Sequence, residues 1–231
     1  MKTAFSLITV LMLPCLLSGT EPLPSRMTLD VPLTTQDTVT MKNACGPACI
    51  EMIFNYWGEK RWKKKQVATE ILHRFPKVKR YKECGILETS PTNFRIYPGT
   101  GTSTMREFLK RHGTVDNFKI KETSNDVLKS DKERSEMFQT LKGYIRQATP
   151  VIVHQYTSLK SKSGHYRVVT GYDEEKELVF LNDPRPKGGR IEQSYDLFFQ
   201  LWNVDEPWLH YNAIAFKPGH LPLKADLESQ E

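Results

Sequence analysis

Apolar positions recur at helical spacing from Cys45 to Trp57. Cys49, Met52, Ile53, Tyr56 and Trp57 share one stripe, and Gly58 supplies a stop. The pattern predicts a helix over 45–57. A second, more amphipathic helix is predicted from Trp62 to Arg74, closed by Pro76. Residues 81–101 have no periodicity and contain "SPTNF" and "YPGTG", which reads as a long surface loop. Thr102 or Ser103 is expected to cap a helix running to about His112, with Gly113 as its end. Residues 135–147 read as helical.

Beyond Pro150 the period changes. "VIVHQY", "HYRVVTGYD" and "ELVFLND" are β-rich runs separated by turn residues. "SYDLFFQLW" reads as a short helix and "WLHYNAIAF" as a last strand. Helices first and a mostly antiparallel sheet second predict an α+β domain.

The two ends differ from this body. The first twenty residues carry one lysine, an apolar run from Ala4 to Leu17, and then Ser18, Gly19 and Thr20. The run is short for a membrane span, and its flanks suit a secretory signal peptide over 1–20. An uncleaved anchor is the alternative, and Pro14 before Cys15 argues against lipoprotein processing. The expected organisation is a signal peptide (1–20), a Pro-rich linker (21–28), one domain (29–217) and a polar tail (218–231). No other segment is long and apolar enough to span a membrane, so no transmembrane partner is encoded. The mature chain is expected to be exported, to the periplasm or the medium.

Composition narrows the class. The chain has 231 residues, 39% hydrophobic and 26% charged, which suits one soluble globular domain. Four cysteines are too few for a disulfide scaffold. The net charge of +6 becomes +5 without the signal, whose only charge is Lys2. The basic excess is local: residues 60–82 hold ten Lys or Arg and one acid, Glu70. That stretch could face an anionic envelope surface, or could be an ordinary solvated helix face. No nucleic-acid motif is present, and no nucleic-acid partner is expected.

Candidate chemistry starts at "NACGPACIEMIFNYWG", residues 43–58. Cys45 stands at the start of the predicted helix, and Pro47 suits a first turn because its missing N–H has no helical partner to lose. A thiol there feels the positive end of the helix dipole and the free N–H groups, which lowers its pKa and can stabilise a neighbouring oxyanion. A thiolate nucleophile needs a base and a group to orient that base. His165 lies at the head of one strand and Asp183 at the end of the next. Antiparallel pairing would bring them together at one edge of the sheet.

"VPLTTQ" before "CGPACIEMIFNYWG", then "GHYRVVTGYD", "VFLNDP" and a helix of the type "YDLFFQLW", resemble in order and spacing the peptidase C39-like family, from about Leu29 to Phe216. The resemblance implies the fold of papain-like cysteine peptidases, with N-terminal helices packed on a mostly antiparallel sheet. It also implies roles: Cys45 as nucleophile, His165 as its base, Asp183 orienting the imidazole, and Gln36 completing the oxyanion hole with the Cys45 N–H. Gln36 stands nine positions before Cys45, a longer gap than the family usually shows, and Asn43 is the substitute. The implied substrate is a peptide or protein cut at a peptide or isopeptide bond, with no metal or organic cofactor.

Two other functions fit the same residues: acyl or amide transfer, in which an amine resolves the thioester, and a binding module that does no chemistry. Cys49, one turn after Cys45, is expected to point into the core. In an oxidising compartment Cys49 and Cys84 could pair, leaving Cys45 as the odd thiol. The cysteine spacing fits no structural zinc pattern. His154 reads as a packed core histidine, and Phe54, Tyr56, Trp57, Trp202 and Trp208 as core aromatics.

Overall fold

The computed structural model describes residues 24–36, 40–74, 97–118, 127–206 and 209–219. The expected signal peptide, Cys84, Trp208, most of the 81–101 loop and the tail beyond Gly219 lie outside the described residues, as do residues 75–82 of the basic stretch.

Five helices and seven strands are present among the described residues. In chain order they are β1 (Arg26–Thr28), α1 (Cys45–Tyr56), α2 (Lys64–Arg74), α3 (Thr102–Leu109), β2 (Gly113–Phe118), α4 (Val127–Arg146), β3 (Val151–Tyr156), β4 (Gly164–Asp173), β5 (Leu178–Asp183), β6 (Gly189–Ser194), α5 (Tyr195–Trp202) and β7 (Ala213–Pro218). The strands form one antiparallel sheet in the order β2-β7-β3-β4-β5-β6, with β1 paired to the far end of β4. The α+β class expected from the helix-then-strand order is the one observed.

Two strands were not signalled by alternation. Gly113, expected to end a helix, opens β2 instead. "GTVDNF" and "GRIEQS" are polar at half their positions because β2 and β6 are the two edges of the sheet. Pro218, expected in the tail, ends β7, an edge position of the strand where its missing N–H costs little.

α1 is the central helix. Ile50, Met52, Ile53 and Phe54 are all at most 1% exposed, and burial of each contributes about 1.5–3 kcal/mol. Phe54 meets Trp62, Phe108, His112 and Phe216 edge-on or stacked, which joins α1 to α3 and to β7. One charged residue shares this buried helix: Glu51 Oε2 accepts the backbone N–H of Lys64 at 2.6 Å, at the first turn of α2. A carboxylate there satisfies an orphan donor and complements the helix dipole.

The segment before α1 runs along β4 and β5. The Leu29 N–H donates to Thr170 O (2.7 Å), Asn182 Nδ2 donates to Val31 O (2.9 Å), and the Gln36 N–H donates to Pro184 O (2.6 Å). These bonds carry the chain from one end of the sheet to the end where Asp183 lies.

Candidate active site

Cys45 is the first residue of α1. The preceding Ala44 offers no side-chain cap, and the first turn holds no acid. The N-terminal N–H groups are therefore left to whatever sits at Cys45. Backbone N–H groups of Tyr166, Gly46 and Cys45 itself stabilise the thiolate form of the sulfur. Tyr166 follows His165 in β4, so the helix start abuts the head of that strand.

The dipole does not decide the thiol's acidity. Burial pushes the Cys45 thiol above its ordinary value, and the Asp183 charge adds to this; the three N–H groups only partly offset them. The expectation of a lowered pKa from the helix terminus is therefore reversed, although Cys45 keeps a partly exposed surface. Cys49 is a free thiol, fully buried and pushed up further by desolvation.

β4 and β5 pair antiparallel, with Val168 opposite Asn182. That register brings the start of β4 beside the end of β5, as expected. His165 Nε2 lies 2.8 Å from Asp183 Oδ1, and both residues are buried. Asp183 has further partners. Arg167 Nε donates to its Oδ2 at 2.8 Å, the Arg185 N–H donates to Oδ1 at 2.9 Å, and Arg185 Nη2 lies 2.9 Å from Oδ2. Gly188 packs so tightly here that an added Cβ would sit 2.6 Å from Asp183 O and 2.8 Å from its Cγ.

These contacts set the charges. Burial alone would raise Asp183, but His165, Arg167 and the Arg185 N–H outweigh it and hold the carboxyl well below the usual range. Burial lowers His165; the bond to Asp183 pulls it up, and the charges of Arg167 and Arg185 push it down again, for a net lowering. Asp183 does not need a charged imidazole to stay ionised, because both arginines are charged throughout the working range. At neutral pH the free site holds a thiol, a neutral imidazole and a carboxylate.

Gln36 reaches the same corner through its backbone bond to Pro184. Its Nε2 donates to Lys42 O, three residues before Cys45, and its Oε1 is buried without a partner. Asn43 is exposed. A cavity of about 400 Å³ opens next to the helix start, lined among others by Thr100, Thr102, Arg106, His154, Tyr166 and Asn212. Gly46 packs directly on Thr100, where an added Cβ would lie 3.2 Å from Thr100 Cβ. His154 is buried as expected, and desolvation brings its pKa down to about 4. Among the described residues, no three His, Cys, Asp or Glu side chains are grouped to hold a metal ion.

Sequence reasoning missed both arginines. Arg167 had one usable signal: the two-residue period puts it on the same face as His165, inside an otherwise apolar run.

A sequence model of the Peptidase_C39 like family matches residues 28–214. Among solved structures, the chain is similar to a candidate C39-like peptidase from Bacillus anthracis, with 15% identity, 84% of this chain and 99% of that chain covered, and a TM-score of 0.56. It is also similar to the peptidase domain of Streptococcus ComA, a bi-functional ABC transporter involved in a quorum-sensing pathway, at 18% identity, 80% and 98% coverage and a TM-score of 0.48. A third likeness is to xylellain, a cysteine protease from Xylella fastidiosa, at 10% identity, 86% and 88% coverage and a TM-score of 0.46. No curated protein matches the chain.

Proposed function

Starting from the fact that the chain belongs to the peptidase C39-like family, we propose that it is an exported cysteine peptidase that cuts peptide or isopeptide bonds through Cys45, His165 and Asp183. The observation that carries this reading is the 2.8 Å contact between His165 Nε2 and Asp183 Oδ1, next to a thiol at an uncapped helix N-terminus. The bound substrate carbonyl meets Cys45 Sγ as the thiol proton passes to His165 Nδ1. The sulfur–carbon bond forms, and the carbonyl π electrons move onto oxygen. The N–H groups at the start of α1 face that oxyanion, and the second N–H of the Gln36 amide is the further donor. The imidazolium returns its proton to the leaving amine, and the thioester remains. Water, deprotonated by His165, then releases the acid and restores the thiol.

Because the free site holds neutral thiol and imidazole, the nucleophile forms on substrate arrival. The polar cavity beside Gly46 is where a residue flanking the cut bond lies. Export rests on the charge and hydropathy pattern of residues 1–20.

The test is iodoacetamide labelling of Cys45 against pH, read by mass spectrometry in the wild type and in His165→Ala. Labelling that falls several-fold near neutral pH in the variant supports the reading. Equal rates in both proteins would reject it and leave a binding domain on this fold. An acyl-enzyme that added amines discharge faster than water would reassign the reaction to acyl transfer.

A further inference from the structure

We propose that Arg167 is a positioning residue for this site: a buried guanidinium that clamps Asp183 Oδ2, keeps Oδ1 turned to His165, and shares the carboxylate's charge with the imidazole. The inference rests on the cysteine-peptidase reading for its purpose, though not for its geometry.

Arg167 is 1% exposed. Its Nε donates to Asp183 Oδ2 at 2.8 Å. Nη1 donates to Gln155 Oε1 at 2.9 Å and to Tyr156 O at 3.1 Å, and Nη2 donates to Thr157 O at 3.1 Å. The fork thus ties the last residue of β5, across β4, to the last two residues of β3 and to Thr157 just beyond it. Gln155 is fixed in turn by a bond from its Nε2 to Gln193 Oε1 at 3.0 Å. Gln155 also stands opposite His165 in the β3–β4 register. Asp183, Gln155 and Tyr156 hold the guanidinium from the two strands that flank β4.

The planar fork explains why the residue is arginine. Lysine would bring the charge, yet its single nitrogen cannot reach a carboxylate, a side-chain amide and two carbonyls spread in this way. With Oδ2 taken by Arg167, Nε2 is left to share Oδ1 with the Arg185 N–H. The imidazole tautomer follows: Nε2 carries its proton toward Asp183, and Nδ1 is the nitrogen left to act as the base.

The charge matters separately. The charged and titratable groups that bear on His165 are Asp183 from β5, Arg167 from its own strand, Arg185 beyond β5 and His154 from β3. His154 is neutral above about pH 4. Burial is the larger cause that keeps the imidazole free of a proton at rest, and Arg167 and Arg185 add to it by offsetting the Asp183 charge. Such a site holds its base ready without a standing thiolate.

The experiment is an NMR titration of the His165 imidazole in the mature protein, assigned by its loss in His165→Ala. Arg167→Gln removes charge and fork, and Arg167→Lys keeps only the charge. Arg167→Gln is expected to raise the His165 midpoint by about one pH unit or more. Arg167→Lys is expected to leave the midpoint near the wild-type value and to lose the exchange-protected Nε2–H signal. A loss of fold strength alone would lower the thermal midpoint and move neither reading. A wild-type midpoint in Arg167→Gln, or a wild-type Nε2–H signal in Arg167→Lys, would overturn the proposal; the second suffices if the glutamine variant does not fold. Failure of the peptidase reading is seen elsewhere, as Cys45 labelling indifferent to His165.

Discussion

His165 Nε2 lies 2.8 Å from Asp183 Oδ1, so Nδ1 is the ring nitrogen turned away from the carboxylate. The carboxylate that fixes this is itself shared with two arginines. In Asp183→Asn the amide NH₂ meets donors at either position, Arg167 and Arg185 at that of Oδ2 or the Arg185 N–H at that of Oδ1. Where it lies toward His165, Nε2 must accept and Nδ1 carries the proton, which is the wrong tautomer for a base. Cys45 labelling at neutral pH is expected to fall about tenfold, to the rate of His165→Ala. A labelling rate equal to the wild type would show that the carboxylate does not set the tautomer.

Acid should weaken the fold through buried histidine. His154 titrates at about 4 in the folded chain and at about 6.5 unfolded, so the unfolded state takes up the proton first as pH falls. Stability is therefore complete above about pH 6.5 and is lost progressively down to about pH 4, by an amount on the order of 3 kcal/mol. The lowered His165 acts in the same direction. Urea midpoints measured across this window should drop steeply for the wild type and less for His154→Phe. Parallel curves for the two proteins would remove His154 as the cause.

Glu51 joins two helices: its Oε2 accepts the Lys64 N–H, and its Oε1 lies 3.6 Å from the half-exposed Lys63 Nζ. Glu51→Ala deletes the acceptor and should cost about 0.5–2 kcal/mol, as other lost helix caps do. Glu51→Gln keeps an acceptor oxygen and should recover most of that. Denaturant unfolding at neutral pH reads the difference. Alanine and glutamine variants of equal stability would mean the cap contributes nothing.

Gly188 has no room for a side chain, since its Cβ would press on Asp183 from 2.6–2.8 Å. Gly188→Ala is expected to cost about 1–3 kcal/mol and to displace the carboxylate from Nε2. The His165-dependent part of Cys45 labelling should fall with it, even at temperatures where the variant is fully folded. Unchanged labelling in a folded Gly188→Ala protein would show that Asp183 can yield without loss.

Much of the site was legible because it is written in local patterns. An apolar helix opening on Cys45 and two β-rich runs placing His165 and Asp183 at facing ends need only periodicity and antiparallel pairing. What sequence hid was set by distant neighbours. Arg167 looks like any polar residue in a strand until Gln155 and Asp183 enclose it. Glu51 looks like a solvated position until α2 begins beside it. The acidity of Cys45 was misjudged because a helix terminus is visible in sequence and the depth of the chain around it is not. Edge strands β2 and β6 alternate too weakly to be told from loops, since neither is covered on both sides.

The strand order β2-β7-β3 has a consequence for timing during synthesis. Among the described residues, β7 is the last strand made and the only one that joins β2 to the rest of the sheet, and Phe216 within it packs on Phe54 of α1. Cys45 leaves the ribosome early, yet the surface that seats its helix is complete only when residues 213–218 follow. At roughly 5–20 residues per second the thiol waits on the order of ten seconds or longer for its partners. A nascent chain therefore carries an unassembled candidate site for most of its synthesis.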